Sequence, residues 1–207
     1  MSATAMQTPQ QSITFRRFRP AVLAAALLAL AAPAQAQQMA MLSAFPVLSA
    51  MRAPSRDATA ELRARNLLIP VQGIHRSQLH DTFRDARSGG REHDAIDIHA
   101  PLGTPVLATT DGVIIKLHQG ARGGNSLYQL DDDGHTRYYY AHLSRYAEGM
   151  GEGVRVHRGD VIGYVGDTGN AQPGDYHLHF SIAILHDRAR WWTGDNLNPF
   201  DILHAEQ

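Results

Sequence analysis

Residues 111–142 read DGVIIKLHQGARGGNSLYQLDDDGHTRYYYAH, and this stretch decides the fold class. Three short apolar or aromatic runs, Val113–Leu117, Leu127–Leu130 and Arg137–His142, are separated by Gly123-Gly124 and Asp133-Gly134. Each run is too short for a stable helix, and each break is a turn signal. The pattern extends outward on both sides. Leu67–Val71, Ala95–Ile98 and Pro105–Ala108 precede it, and Val161–Val165 and His177–Ile184 follow. Many short β-rich runs with close turns predict an all-β domain, an antiparallel sandwich or barrel-like fold. No helical period competes, although Asp187–Trp192 has room for one turn.

Bulk composition is compatible with that reading. The chain has 207 residues, 43% hydrophobic and 19% charged, as expected of a globular domain. A net charge of -1 argues against a general binder of nucleic acid or membrane surfaces. There is no cysteine, which excludes disulfides, thiolate metal ligands and cysteine lipidation. Histidine is abundant, with 12 residues, and neutral imidazole is the commonest metal ligand.

The N-terminus carries an address. Arg16, Arg17 and Arg19 precede an unbroken apolar run, Ala21–Ala32, and Ala34-Gln35-Ala36 fits a small-x-small cleavage pattern. Residues 1–36 therefore read as a secretory signal peptide, cut after Ala36. The run is shorter than the roughly 20 apolar residues of a membrane span, so no stable anchor is expected after cleavage. Residues 37–66 read as a linker, with a short helix expected near Asp57–Arg65, and residues 67–207 as the folded domain. An exported protein of the periplasm or cell envelope follows from this layout.

Three histidine segments carry chemistry: His93–Asp97, Tyr140–Leu143 and His177–Phe180. On a strand, residues i and i+2 face the same way, roughly 6.6 Å apart. His177 and His179 then project side by side, with Leu178 and Phe180 directed into the core. Two histidines on a solvated face is the plain alternative for this segment alone. His93 and Asp97 would stand roughly 13 Å apart on a straight strand, too far for one ion. A bend at Asp94-Ala95 is therefore required if both bind. Imidazoles with one carboxylate suit zinc better than calcium or magnesium. Spacing alone leaves open which members of the set His93, Asp97, His142, His177 and His179 bind.

The ordered motifs go further. They are His93-x-x-x-Asp97-Ile98, Pro101-Leu102-Gly103-Thr104-Pro105-Val106-x-Ala108, Asp111-Gly112-Val113 and Tyr140-Ala141-His142-Leu143-Ser144. Gly159-Asp160-x-Ile162-Gly163, Gly166-x-Thr168-Gly169-Asn170, His177-x-His179-Phe180 and Asn198-Pro199-Phe200 complete the set. In this order the chain resembles the lysostaphin-type (LytM-like) zinc metallopeptidases, from about Ile69 to Leu203. The resemblance implies one zinc per chain, held by His93, Asp97 and His179. It implies that His142 and His177 act as general base and oxyanion stabiliser, and that the substrate is the peptide part of bacterial peptidoglycan. A non-catalytic activator or peptidoglycan-binding protein on the same fold is the alternative; such relatives have typically lost ligands, and here the set is complete.

Two departures from the family pattern stand out. Ala95 occupies a position that is usually glycine, and Arg122–Gln129 follows the family's glycine-asparagine strand loosely. Two substrate contacts are expected as well. Alternation places Tyr138, Tyr140 and His142 on one face, which carries Tyr140 toward the site, with packing as its alternative. Phe83–Arg87 falls where the family has a groove-lining loop, with Phe83 as the expected contact and a solvated loop as the alternative. The other histidines, His99 among them, read as surface residues, and Asp131–Asp133 as a solvated hairpin tip.

Overall fold

The computed structural model describes residues 56–205. The signal-peptide reading over 1–36, and most of the linker, lie outside the described residues.

In chain order the elements are helix α1 (Arg56–Ala64) and strands β1 (Ala86–Arg87), β2 (Arg91–Glu92), β3 (Ile96–His99), β4 (Pro105–Leu107), β5 (Gly112–Gly120) and β6 (Gly124–Asp131). They continue with β7 (Thr136–Tyr146), β8 (Arg155–Val156), β9 (Val161–Val165), β10 (His177–Ile184), β11 (Asp195–Leu197) and the short helix α2 (Pro199–Leu203). β1 and β2 form a small hairpin, and the other nine strands form one sheet with a central order β11-β10-β7-β6-β5-β8. The ladder partners are antiparallel throughout. The all-β expectation is met. The helical turn foreseen after Asp187 is a single 3-10 turn, Arg188–Arg190.

Strands exchange partners along their length, as barrel-like sandwiches require. β7 pairs with β10 from Thr136 to Ala141 and with β9 from Leu143 to Tyr146. His142 stands at the handover, with a left-handed φ of 60°. Such a backbone is uncommon for a residue with a side chain, and it breaks the pleat alternation at this point. The core is built from the inward residues of the long strands: Ile96, Ile98, Val106, Ile114, Leu127, Tyr138, Tyr140, Ile162, Leu178, Phe180 and Ile182 are all essentially buried. Leu178 and Phe180 face inward, as the pleat predicted.

Two sequence readings change here. Residues 56–66, assigned to the linker, contribute α1, and Leu62 joins the core at 2% exposure. The helix is also pinned by charge. Arg65 reaches Asp131 at 2.8 Å and Asp133 at 3.0 Å, and the Tyr138 hydroxyl donates to Asp131 at 2.7 Å. Asp131 is therefore buried rather than solvated. A buried carboxylate is tolerated only when paired and hydrogen-bonded, and Arg65 with Tyr138 supplies both. Among the described residues no helix is long and apolar enough to cross a membrane.

Candidate active site

The site is assembled on β10, with β3 on one edge and β7 on the other. The register opposes His179 to Asp97 and His177 to His99. His93 reaches the same place because the chain turns at Asp94, whose φ is 59°. The bend lies where spacing required it. It also accounts for Ala95: the left-handed backbone falls on Asp94, so a side chain at 95 is accommodated, and Ala95 is fully buried.

Three donor atoms converge. His93 Nε2 lies 2.9 Å from His179 Nδ1 and 3.1 Å from Asp97 Oδ1, and His179 Nδ1 lies 3.3 Å from Asp97 Oδ1. Donors about 2.0–2.1 Å from a tetrahedral zinc stand about 3.3 Å from one another. His93 Nδ1 donates to the Thr82 carbonyl at 3.0 Å, a tautomer that leaves the Nε2 lone pair facing the cluster. Asp97 Oδ1 is buried and receives no well-aligned hydrogen bond. An orphaned carboxylate oxygen costs at least about 1–3 kcal/mol when nothing compensates it. A cation at this point would satisfy it and the two lone pairs together. The residues present thus fit a divalent metal of zinc type.

Supporting groups surround the cluster. The Thr82 hydroxyl accepts the Asp97 backbone N–H at 3.1 Å, so one residue steadies two members of the set. Arg87 Nη2 donates to Asp97 Oδ2 at 2.7 Å. That pairing leaves Oδ1 turned to the cluster. Burial opposes the charge on Asp97, but the neighbouring His179 and His93 outweigh it and hold the carboxyl below its usual range. Burial, the largest influence on His179, pushes its imidazole down. Removing a partner that orients a metal ligand typically costs 10–100-fold in affinity. Arg87→Ala is expected to weaken zinc binding by about that factor while leaving the thermal midpoint nearly unchanged, because the guanidinium is 39% exposed. Competition against a chelator checks it; unchanged affinity would remove Arg87 from this role.

His142 and His177 stand beside the cluster. Their rings are 4.9 Å apart in an edge-to-face arrangement, and the ring of His142 is 5.6 Å from that of His179. Both direct Nδ1 at a backbone carbonyl: His142 at Thr168, 2.7 Å, and His177 at Asp175, 2.8 Å. Each then keeps Nε2 free on the opposite edge of the ring. His177 Nε2 is 3.8 Å from Asp97 Oδ1, so it faces the cluster. Burial pushes the His142 imidazole down to about 4, so it is neutral at physiological pH.

A cavity of about 440 Å³ opens over these groups, lined also by Arg91, Arg122, Tyr139 and Asn170. The two expected substrate contacts are not found there. Tyr140 is fully buried, with its hydroxyl donating to Gln129 and accepting from the Thr109 N–H. Tyr139 takes the wall position instead, its ring 5.9 Å from that of His179. Strict alternation misassigned the pair because the left-handed His142 turns its side chain away from the face that Tyr140 occupies. Phe83 is half-buried and absent from the lining; its contribution is a backbone carbonyl that accepts the Asp94 N–H at 2.9 Å. The loosely matching Arg122–Gln129 stretch does contribute: Arg122 and Gly123 line the cavity, and the Gly123 carbonyl accepts the His142 N–H at 2.9 Å. Arg87, at the end of the Phe83–Arg87 stretch expected to line a groove, does line the cavity, whereas Thr82 had no sequence signal.

The chain is similar to several known proteins. The chain is 35% identical over 131 residues to the L-Ala–D-Glu endopeptidase of Bacillus subtilis, covering 60% of this chain and 39% of that protein. It is 36% identical over 112 residues to the DD-carboxypeptidase/endopeptidase Mpg of Neisseria meningitidis, covering 54% and 23%. The chain thus spans well under half the length of these relatives. The catalytic domain of the antimicrobial peptidase lysostaphin from Staphylococcus simulans superposes with a TM-score of 0.50 at 25% identity, covering 71% of this chain and 98% of that one. A zinc containing peptidase from Vibrio cholerae gives 0.50 at 25% identity, covering 66% and 39%. The sequence model of peptidase family M23 matches residues 91–199, a stretch that holds His93, Asp97, His142, His177 and His179. With that match over more than half its length, and with those side chains gathered at one cavity, the chain belongs to peptidase family M23.

Proposed function

We propose that this protein is an exported zinc metalloendopeptidase that hydrolyses peptide bonds in bacterial cell-wall peptidoglycan. The observation that carries the reading is the converging donor set of His93, Asp97 and His179 beside two imidazoles whose Nε2 atoms are free. His93 Nε2, Asp97 Oδ1 and His179 Nδ1 would hold one zinc. When bound, zinc acidifies water and polarises a carbonyl.

The protein's own groups do the rest. A histidine that binds metal through one nitrogen and is fixed through the other has no proton to move, so separate imidazoles are needed. His142 and His177 are held in the tautomer that accepts a proton at Nε2. One takes the proton of the attacking water at Nε2. The other, from the adjacent strand, stabilises the developing oxyanion in its imidazolium form, with Nδ1–H on its carbonyl and a proton at Nε2 to donate. Burial keeps His142 unprotonated at neutral pH, which leaves its Nε2 open to a proton. Tyr139 and Gly123 wall the cavity beside them, and Arg91 and Arg122 at its rim suit the carboxylates of peptidoglycan stem peptides.

Substrate class is supported by the named activities of the Bacillus and Neisseria relatives, and zinc by the Vibrio cholerae peptidase. Export rests on the arginines and apolar run of residues 1–36, and N-terminal sequencing from the host should begin at Gln37. Digestion of purified peptidoglycan, followed by mass spectrometry of the fragments, tests the activity. Newly released peptides with free amino ends are expected. Intact peptidoglycan with zinc-loaded protein would favour a binding or activator role.

A further inference from the structure

β3 and β10 place two cross-strand pairs in succession. His179 faces Asp97, and His177 faces His99. The members of each strand are two residues apart, so the pairs are adjacent rungs on one face of the sheet. Directly opposed residues have Cβ atoms about 4.5–5.5 Å apart, close enough for two side chains to share an ion. The first rung, with His93, makes the site described above. The second has a third donor of its own. Asp175 Oδ1 lies 3.4 Å from His99 Nδ1, and Asp175 Oδ2 lies 3.7 Å from His177 Nδ1. The rings of His99 and His177 are 5.3 Å apart. One ligand atom from each of the three falls within 4.8 Å of the others.

We propose that His99, Asp175 and His177 form a second divalent-cation site next to the first. Two imidazoles and one carboxylate are the same donor chemistry as the first site, so the ion is zinc or a metal of similar softness. The second site is the weaker one, for reasons visible in the geometry. Its donors stand further apart, and the side chains of His99 and Asp175 are 60% and 47% exposed, so binding must order them against water. His177 Nδ1 must also give up its bond to the Asp175 carbonyl.

The site has a consequence that rests on the proposed function and on His177, rather than His142, being its proton acceptor. An ion on Nδ1 displaces the ring proton to Nε2; the imidazole stays neutral and no proton leaves it. The lone pair that faced the cavity is then lost. His177 can no longer accept a proton, and hydrolysis falls although the first metal stays in place. Metal in excess of one equivalent thus limits the activity that the first equivalent creates.

The test starts from full-length mature protein loaded with one zinc and titrates it with zinc chloride at buffered free concentrations. Wild type should take up a second equivalent at least about 100-fold more weakly than the first, roughly the penalty of a disordered ligand shell. His99→Ala should keep the first equivalent and lose the second, and Asp175→Asn should weaken only the second. Asp97→Ala should lose the first, so the two sites report separately. Peptidoglycan hydrolysis by wild type should fall about tenfold or more as the second equivalent binds, and His99→Ala should resist this fall. Absence of a second equivalent in wild type, or its persistence in His99→Ala, overturns the proposal. A second equivalent that is lost in His99→Ala yet never inhibits supports the site and overturns the assignment of His177 as a proton acceptor.

Discussion

His142→Ala and His177→Ala should each lower peptidoglycan hydrolysis by at least about 10²–10⁴-fold while the first equivalent of zinc remains bound. Neither residue is among the convergent donors, which are His93, Asp97 and His179, and their Nδ1 atoms donate to the Thr168 and Asp175 carbonyls. Each offers Nε2 to the cavity, and losing it removes a proton-transfer group rather than a ligand. His142 needs a second variant, because its φ of 60° strains any alanine placed there. Asparagine enters the left-handed region more readily, so His142→Asn separates lost chemistry from lost fold. For His177 the informative control is metal content. A zinc-free His177→Ala beside a fully loaded His179→Ala would mean that ligand and proton acceptor are interchanged. Full hydrolysis by both the His142 and the His177 variants would reject the mechanism.

Replacing a ligand should act at an earlier step. His93→Ala, Asp97→Ala and His179→Ala are each expected to lose most bound zinc, with an affinity drop beyond the 10–100-fold typical of outer-shell partners, and to lose hydrolysis with it. The argument is one of mutual dependence. The three donor atoms sit 2.9–3.3 Å apart, and one cation between them would engage all three, the unpaired Asp97 Oδ1 included. Asp97→Ala carries an added effect, since Arg87 loses its partner at 2.7 Å. Metal analysis of the purified variants decides the matter, and equal zinc occupancy in all three would discard the assignment.

Much of this site was legible before folding. The pleat of a strand sends His177 and His179 to one face whatever surrounds them. The i to i+4 distance between His93 and Asp97 demanded a bend, and Asp94 supplies it. Short apolar runs punctuated by glycine and aspartate required β structure, since none could pay for a helix. The division between ligands and proton-transfer groups is only what the resemblance implies, because local spacing alone left it open.

Other features depend on long-range contacts that no local rule encodes. Tyr139 rather than Tyr140 walls the cavity because β7 changes partner at His142 and its backbone turns left-handed there. Residues 56–66 belong to the folded unit because Leu62 finds the core and Arg65 finds Asp131, a carboxylate far along the chain. Thr82 and Arg87 steady Asp97 only once their loop lies against β3. His99 read as a surface residue, and by exposure it is one. Its place opposite His177 follows from the register of β3 against β10, which is fixed by the burial of Ile96, Ile98, Leu178 and Phe180 on the other face. Sequence by itself determined the strand class and that His177 and His179 share a face, because pleat and turn are properties of neighbouring residues. Tertiary structure decided which of those side chains meet, because register and partner exchange are set by the core as a whole.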